Sequence, residues 1–235
     1  MPSGQTFLFS VPSFRPTLAS VSTSNFVALF AIALAVAGAE KFRADFSRPL
    51  DTPWKWIRED PAAWRLTNGA LEIRLLPGNM WGPANDAKNV LTRPAPEAPS
   101  LEILATVENR PTEQYEQVDL VWYYSDSHMV KIGLELVDGK LSVVMGREEA
   151  DRTRTISINP IDAGTVDLRF LVATTNRIFG FFRPHQAASW QKAGDCSLPV
   201  LTGAPARISL QCYQGPAKAE RWARITEFRI NQGDL

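Results

Sequence analysis

"HMVKIGLELVDGKLSVVMGRE", residues 128–148, carries the clearest structural pattern in the chain. In an extended chain successive side chains point to opposite faces, so Val130, Ile132, Leu134 and Leu136 share one face while Lys131 and Glu135 share the other. Asp138-Gly139 follows, a pair that tolerates the positive φ angles of a tight hairpin turn, and "KLSVVMGRE" runs back along the first strand. The period is two, not 3.6, and the stretch therefore reads as a β-hairpin. Working outward, the same alternation recurs in "ALEIRLL" from Ala70, in "SLEILATVEN" at Leu101, Ile103, Ala105 and Val107, and in "QVDLVWYY". It continues in "TRTISIN", in "TVDLRFLVATTNRIFGFFRP" with a turn at 174–176, and in the closing "ARISLQCYQ" and "ARITEFRIN". About ten or more short strands separated by turn signals, without strand–helix alternation, predict an all-β antiparallel sandwich of jelly-roll type. Pro94, Pro96 and Pro99 mark a loop within it.

The chain has 235 residues, 45% of them hydrophobic, enough for one sizeable core. Lys plus Arg and Asp plus Glu number 25 each, so the formal net charge is zero and no basic excess points to nucleic acid. "FVALFAIALAVA", Phe26–Ala37, is a twelve-residue apolar run. As a helix it spans roughly 18 Å, short of the roughly 30 Å hydrocarbon core. Ala37-Gly38-Ala39 then offers a small-x-small cleavage site. The expectation is a signal peptide over 1–39, no stable membrane span after its removal, and a single sandwich over 40–235 in the periplasm or outside the cell. In an oxidising compartment Cys196 and Cys212 can form a disulfide contributing very roughly 3 kcal/mol. Two separate buried thiols are the alternative.

Two stretches resemble a known family. "FSRPLDTPWKWIREDPAAWRLTNGALEIRLLPGN", from Phe46, carries Trp54, Trp56, Glu59, Trp64, Asn68-Gly69 and the strand Leu71–Leu75. It is similar to the opening of the concanavalin A-like domain at the C-terminus of family 43 β-xylosidases, and to the stand-alone domains called DUF1349. "LEILATVENRPTEQYEQVDLVWYYSDSHMVKIGLEL", from Leu101, resembles the same domains in its order of strand, loop, glutamine and Tyr-Tyr. The resemblance implies a two-sheet concanavalin A-like jelly roll and an association with carbohydrate. It does not imply xylosidase activity, because the catalytic carboxylates of family 43 enzymes belong to a separate propeller domain.

Aromatic faces stack on sugar rings, whereas buried tryptophans more often fill cores. Trp64 precedes a strand and reads as core, and Trp54 and Trp56 read as closing the sandwich. Trp81 stands apart, because "PGNMWGPANDAKN" is a polar loop with a single Met-Trp in it, and there it either plugs the sandwich or meets a ligand. In "VWYY" alternation puts Trp122 and Tyr124 on one face and Val121 and Tyr123 on the other. Tyr124, with Lys131, Glu135 and Arg169 on neighbouring strands, is therefore a candidate lining of a saccharide groove on the concave sheet. An ordinary solvated sheet face is the alternative.

Hydrolysis calls for two carboxyls roughly 5–10 Å apart. Glu113 and Glu116 point to opposite faces when extended, and so do Glu148 and Glu149. No H-E-x-x-H, C-x-x-C or G-x-S-x-G is present. No cofactor is implied; Asn85, Asp86 and Asp126 are loop residues of a type that can ligate calcium or simply form turns. The leading expectation is a secreted, non-catalytic binder of oligo- or polysaccharide. The alternatives are a glycoside hydrolase or polysaccharide lyase acting on the concave sheet, marked by an acid of raised pKa beside a second one, and a structural or protein-interaction module.

Overall fold

Fifteen β-strands and one 3₁₀ turn, Pro61–Ala63, make up the regular structure among the described residues of a computed structural model. The model describes residues 39–50 and 52–233. The expected leader over 1–39 lies outside them but for Ala39, and among them no helix is long and apolar enough to cross a membrane.

The strands form two antiparallel sheets. The first runs β13 (Gln191–Ser197), β12 (Arg177–Pro184), β11 (Thr165–Ala173), β6 (Leu101–Glu108), β15 (Trp222–Gln232), β4 (Ala70–Arg74), β3 (Trp64–Thr67), with β1 (Glu40–Ala44) also paired to β15. The second runs β10 (Arg152–Pro160), β9 (Lys140–Glu149), β8 (His128–Val137), β7 (Gln117–Ser125), β14 (Arg207–Tyr213), β5 (Val90–Pro94), β2 (Lys55–Ile57). The architecture is the predicted two-sheet jelly-roll sandwich. Residues 128–149 form the hairpin read from the sequence, with Val137 paired to Lys140 across a turn in which Asp138 and Gly139 both have positive φ. The turn at 174–176 separates β11 from β12.

The main core lies between the sheets. Ile103, Ala105, Val107, Leu168, Phe170, Phe228 and Ile230 come from the first sheet; Val118, Leu120, Trp122, Val130, Ile132, Leu134, Val143 and Met145 come from the second. The alternation therefore predicts the inward face of β6 and β8 correctly. Trp54 is buried against Phe228 and Phe42, with ring centroids 5.2 and 6.1 Å apart. Trp56 and Trp64 pack on the core edge 4.9 Å from each other, and the Trp64 indole donates to Glu59 Oε1 at 2.9 Å. The tryptophan-rich opening thus closes the sandwich.

What alternation does not predict is that the central strands of the second sheet are buried on both faces. A second apolar cluster covers the side turned away from the core: Met80 and Ala87 from the segment 76–89 rest on Val90, Val121, Tyr123, Met129 and Tyr213.

Cys196 lies in β13 of one sheet and Cys212 in β14 of the other; both are buried, and both are free thiols. This corrects the expected disulfide: each sulfur is taken up as a small apolar group in the main core. Burial raises both thiol pKa values above the ordinary range, which makes them poor nucleophiles. Alkylation without reductant is expected to leave the native protein unlabelled and to add two labels after denaturation; a denatured protein that takes no label would mean that the two cysteines are bonded.

Candidate functional site

Segment 76–89 crosses the outer face of the second sheet and is tied to it at several points. The Gln214 and Gly215 amides donate to the carbonyls of Gly78 and Leu76 at 3.1 and 3.0 Å, and the Gly82 amide donates to Glu148 Oε2 at 3.1 Å. Arg58 donates through Nε to the Ala87 carbonyl at 2.6 Å and through Nη1 to Asp126 Oδ2 at 2.6 Å; Asp126 Oδ1 accepts from the Tyr123 hydroxyl at 2.8 Å. Asn79 brackets Trp81: its Oδ1 accepts from the Trp81 amide and its Nδ2 donates to the Trp81 carbonyl, both at 3.0 Å.

These ties put the Trp81 ring on the sheet above the paired residues Lys131 and Gly146. A Cβ at position 146 would stand 2.4 Å from the Trp81 ring, so only glycine leaves room for it. The Lys131 ammonium lies 5.1 Å from the Trp81 ring centroid, a cation–π distance.

Beside Trp81 a groove of about 490 Å³ is open on this face. Asn79, Gln117, Lys131, Glu135, Asp138, Thr155 and Gln214 supply its polar lining, with Trp81, Tyr115, Val137, Val144 and Ile158 as its larger apolar surfaces. Among the described residues the large hydrophobic side chains left exposed are Tyr115 at 48%, Ile158 at 49% and Val200 at 68%, and the first two line this groove. Tyr115 is held with φ 68°, an uncommon conformation for a bulky residue. Its amide donates to the Leu136 carbonyl at 2.8 Å and its carbonyl accepts from Gln117 Nε2 at 2.8 Å.

Of the residues predicted from sequence, Trp81, Lys131 and Glu135 come together in the groove. Tyr124 does not. It shares parity with Trp122, which is core, and packs against the main core with its ring 6.4 Å from that indole. The outward aromatic of "VWYY" is Tyr123, and segment 76–89 covers it. Arg169 does not join either. It lies on β11 of the first sheet, pairs with Glu102 at 2.6 Å, and sits 5.5 Å from the Trp190 ring centroid. Strands of different sheets never share a face, and the sequence does not say which strands share a sheet. Reasoning from sequence missed Tyr115, Asn79, Gln117, Asp138 and Gln214.

Under the groove lies a charge cluster. Lys131 is 3% exposed and donates through Nζ to Glu135 Oε2 at 3.0 Å and to Gln117 Oε1. Asp119 is fully buried on β7 and lies over Gly133 of β8, where a Cβ would meet its Oδ1 at 1.6 Å. Burial raises the Asp119 carboxyl to about 6, against the attraction of Lys131 and with the repulsion of Glu135. Burial likewise raises Glu148 to about 7, although its bond from the Gly82 amide and the charge of Lys131 oppose the shift. Burial by itself would lower the Lys131 ammonium, but Asp119, Glu135 and Glu148 hold it above the ordinary lysine value. Asn85, Asp86 and Asp126 are engaged with Asp151, the Asn79 amide and Arg58 respectively. Among the described residues no three His, Cys, Asp or Glu are grouped to hold a metal ion.

The sequence profile of the β-xylosidase C-terminal concanavalin A-like domain matches residues 43–227. Among solved structures, the GH43 protein BlXynB of Bacillus licheniformis superposes with a TM-score of 0.73 at 18% identity, covering 83% of this chain and 40% of that one. The xylan β-1,4-xylosidase of Bacillus halodurans C-125 gives 0.70 at 17%, covering 80% and 38%. A functionally unknown protein of Saccharomyces cerevisiae gives 0.59 at 12%, covering 77% and 97%. At such identities these likenesses concern the fold alone. The chain spans about two-fifths of the length of the two bacterial proteins. No curated protein matches it.

The two raised carboxyls have a consequence for stability. An acid whose pKa is higher in the folded than in the unfolded chain binds more protons when folded, so stability falls as the pH rises through the interval between the two values. That interval is 3.8 to about 6 for Asp119 and 4.5 to about 7 for Glu148. The melting temperature is expected to be higher at pH 5 than at pH 7.5 by a few degrees, and Asp119→Asn and Glu148→Gln should each flatten the slope. A melting temperature that falls steadily over the same acidification would refute the assignment.

Proposed function

The chain belongs to the family of β-xylosidase C-terminal concanavalin A-like domains, and from that premise we propose that it is an exported, non-catalytic protein that binds oligo- or polysaccharide in the groove beside Trp81. One observation carries the reading: Trp81 and the half-exposed Tyr115 both line a groove whose remaining lining is largely hydrogen-bonding side chains. Sugars are bound in this way, an aromatic surface taking the C–H face of the ring while planar amides and carboxylates order the hydroxyls. The site is also preorganised. The Trp81 backbone is bracketed by Asn79 and its ring is seated on Gly146, so little conformational freedom is lost on binding.

The acids of raised pKa support binding rather than hydrolysis. Asp119 is wholly buried and does not line the groove, and Glu148 is buried and occupied with the Gly82 amide. Neither is placed to touch a glycosidic bond in the groove, and burial accounts for both shifts. Export rests on the apolar run Phe26–Ala37 and the small residues after it.

Trp81→Ala is expected to weaken saccharide binding at least about tenfold, roughly 1.4 kcal/mol, while Trp81→Phe retains part of it. Gly146→Ala, which touches no ligand, should lift Trp81 from its seat and weaken binding in the same direction. A glycan array and calorimetry on folded variants provide the readout, with a hydrolysis screen on xylan-type and β-glucan substrates alongside. Absence of binding by the native protein across the array would refute the proposal, and turnover in the screen would replace it with the hydrolase reading.

A further inference from the structure

We infer that the groove selects uncharged saccharides and rejects chains bearing uronate groups, a reading that rests on the saccharide assignment made above for the same groove. The lysine in it suggests the opposite at first sight. Among the described residues Lys131 is the one cation that lines the groove, and an ammonium there looks like a receptor for a sugar carboxylate.

The geometry removes it from that role. Lys131 is 3% exposed; its Nζ donates to Glu135 Oε2 and Gln117 Oε1, and the rings of Trp81 and Tyr213 lie 5.1 and 5.8 Å from it. Its charge is met within the fold by Glu135, and Asp119 and Glu148 also act on it. Two cations near the lining in sequence do not replace it: Arg154 on β10 has the parity opposite to Thr155, which lines the groove, and the exposed Lys140, paired with Val137 beyond the turn, stands outside the lining.

What the groove offers a ligand is acidic and neutral. Glu135 and Asp138 line it, and Glu135 keeps Oε1 outside its ion pair with Lys131. Carboxylate oxygens and amides suit hydroxyl groups, which donate and accept. A uronate brought to the same place meets like charge from Glu135 and Asp138, with no cation among the lining residues released to receive it, and like-charge juxtaposition is a strong discriminator. Lys131 is a positioning residue: it fixes Glu135 and the underside of Trp81 and does not itself read the sugar.

The test is calorimetric titration of the full chain with matched xylan-, β-glucan- and mannan-type oligosaccharides, each with and without uronate groups, at low and at high salt. The neutral member of the binding pair is expected to bind at least about tenfold more tightly at low salt, and the gap should narrow as salt screens the repulsion. Glu135→Gln should narrow it further at the expense of neutral binding. Asp138→Asn, at a turn position with φ 50° that asparagine adopts readily, should narrow it with the fold intact. Equal or tighter binding of the uronate form overturns this inference and leaves the saccharide assignment standing. Absence of binding by both forms overturns the two together, and a gap insensitive to salt and to both variants overturns the electrostatic cause.

Discussion

Taking the Lys131 ammonium out of water on the outer face of the second sheet costs several kcal/mol unless opposite charge and hydrogen-bond acceptors surround it. Three adjacent strands supply them: Asp119 from β7, Glu135 from β8 and Glu148 from β9, with Gln117 as a neutral acceptor. The register of β7, β8 and β9 therefore does more than align a core. It assembles one cation and three acids on a face that an ordinary half-solvated sheet leaves wet. The acids share the cost of that burial: desolvation raises the carboxyl pKa values of Asp119 and Glu148 even though the Lys131 charge opposes both shifts.

Segment 76–89 covers the Lys131 and Glu148 side of that cluster, and the cluster helps to hold the segment. Glu148 accepts the Gly82 amide, and Lys131 lies beneath the Trp81 ring. Farther along, Met80 and Ala87 cover Tyr123 and Met129, and the Arg58–Asp126 pair pins the segment's far end. A loop anchored at both ends and along its length presents Trp81 as a rigid surface. The groove beside it is thus a consequence of how the sheet's buried charges are covered.

Much of the fold is written in short-range pattern. Val130, Ile132 and Leu134 point to the core because alternation leaves them no other choice, and Asp138-Gly139 turns the chain because both residues tolerate positive φ. The same rule separates Lys131 and Glu135 from them and makes the pair a candidate for a solvent-side site. Trp81 is legible for a different reason: a Met-Trp in a loop of Gly, Pro, Asn and Asp needs something to cover or to meet. Tyr124 shows where pattern stops. Alternation separates it from Tyr123 but does not say which of the two faces inward; the partner Trp122 decides that by packing between the sheets. Tyr115 leaves no local signal, since its exposure comes from the backbone turn before β7 and from the Leu136 carbonyl that accepts its amide.

Strand content, the hairpins, the inward face of most strands and the family are legible in the residue order, because each rests on neighbours within a few residues or on quoted motifs. Sheet membership comes from long-range packing. It put Arg169 on the sheet opposite Lys131, kept Cys196 and Cys212 apart as free thiols, and laid segment 76–89 across β7, β8 and β9 so that Trp81 meets Gly146. Such pairings join residues far apart in the chain, 66 positions in the case of Gly82 and Glu148, and no local periodicity encodes them: they are set by which arrangement of whole strands buries the apolar faces and leaves no charge uncompensated.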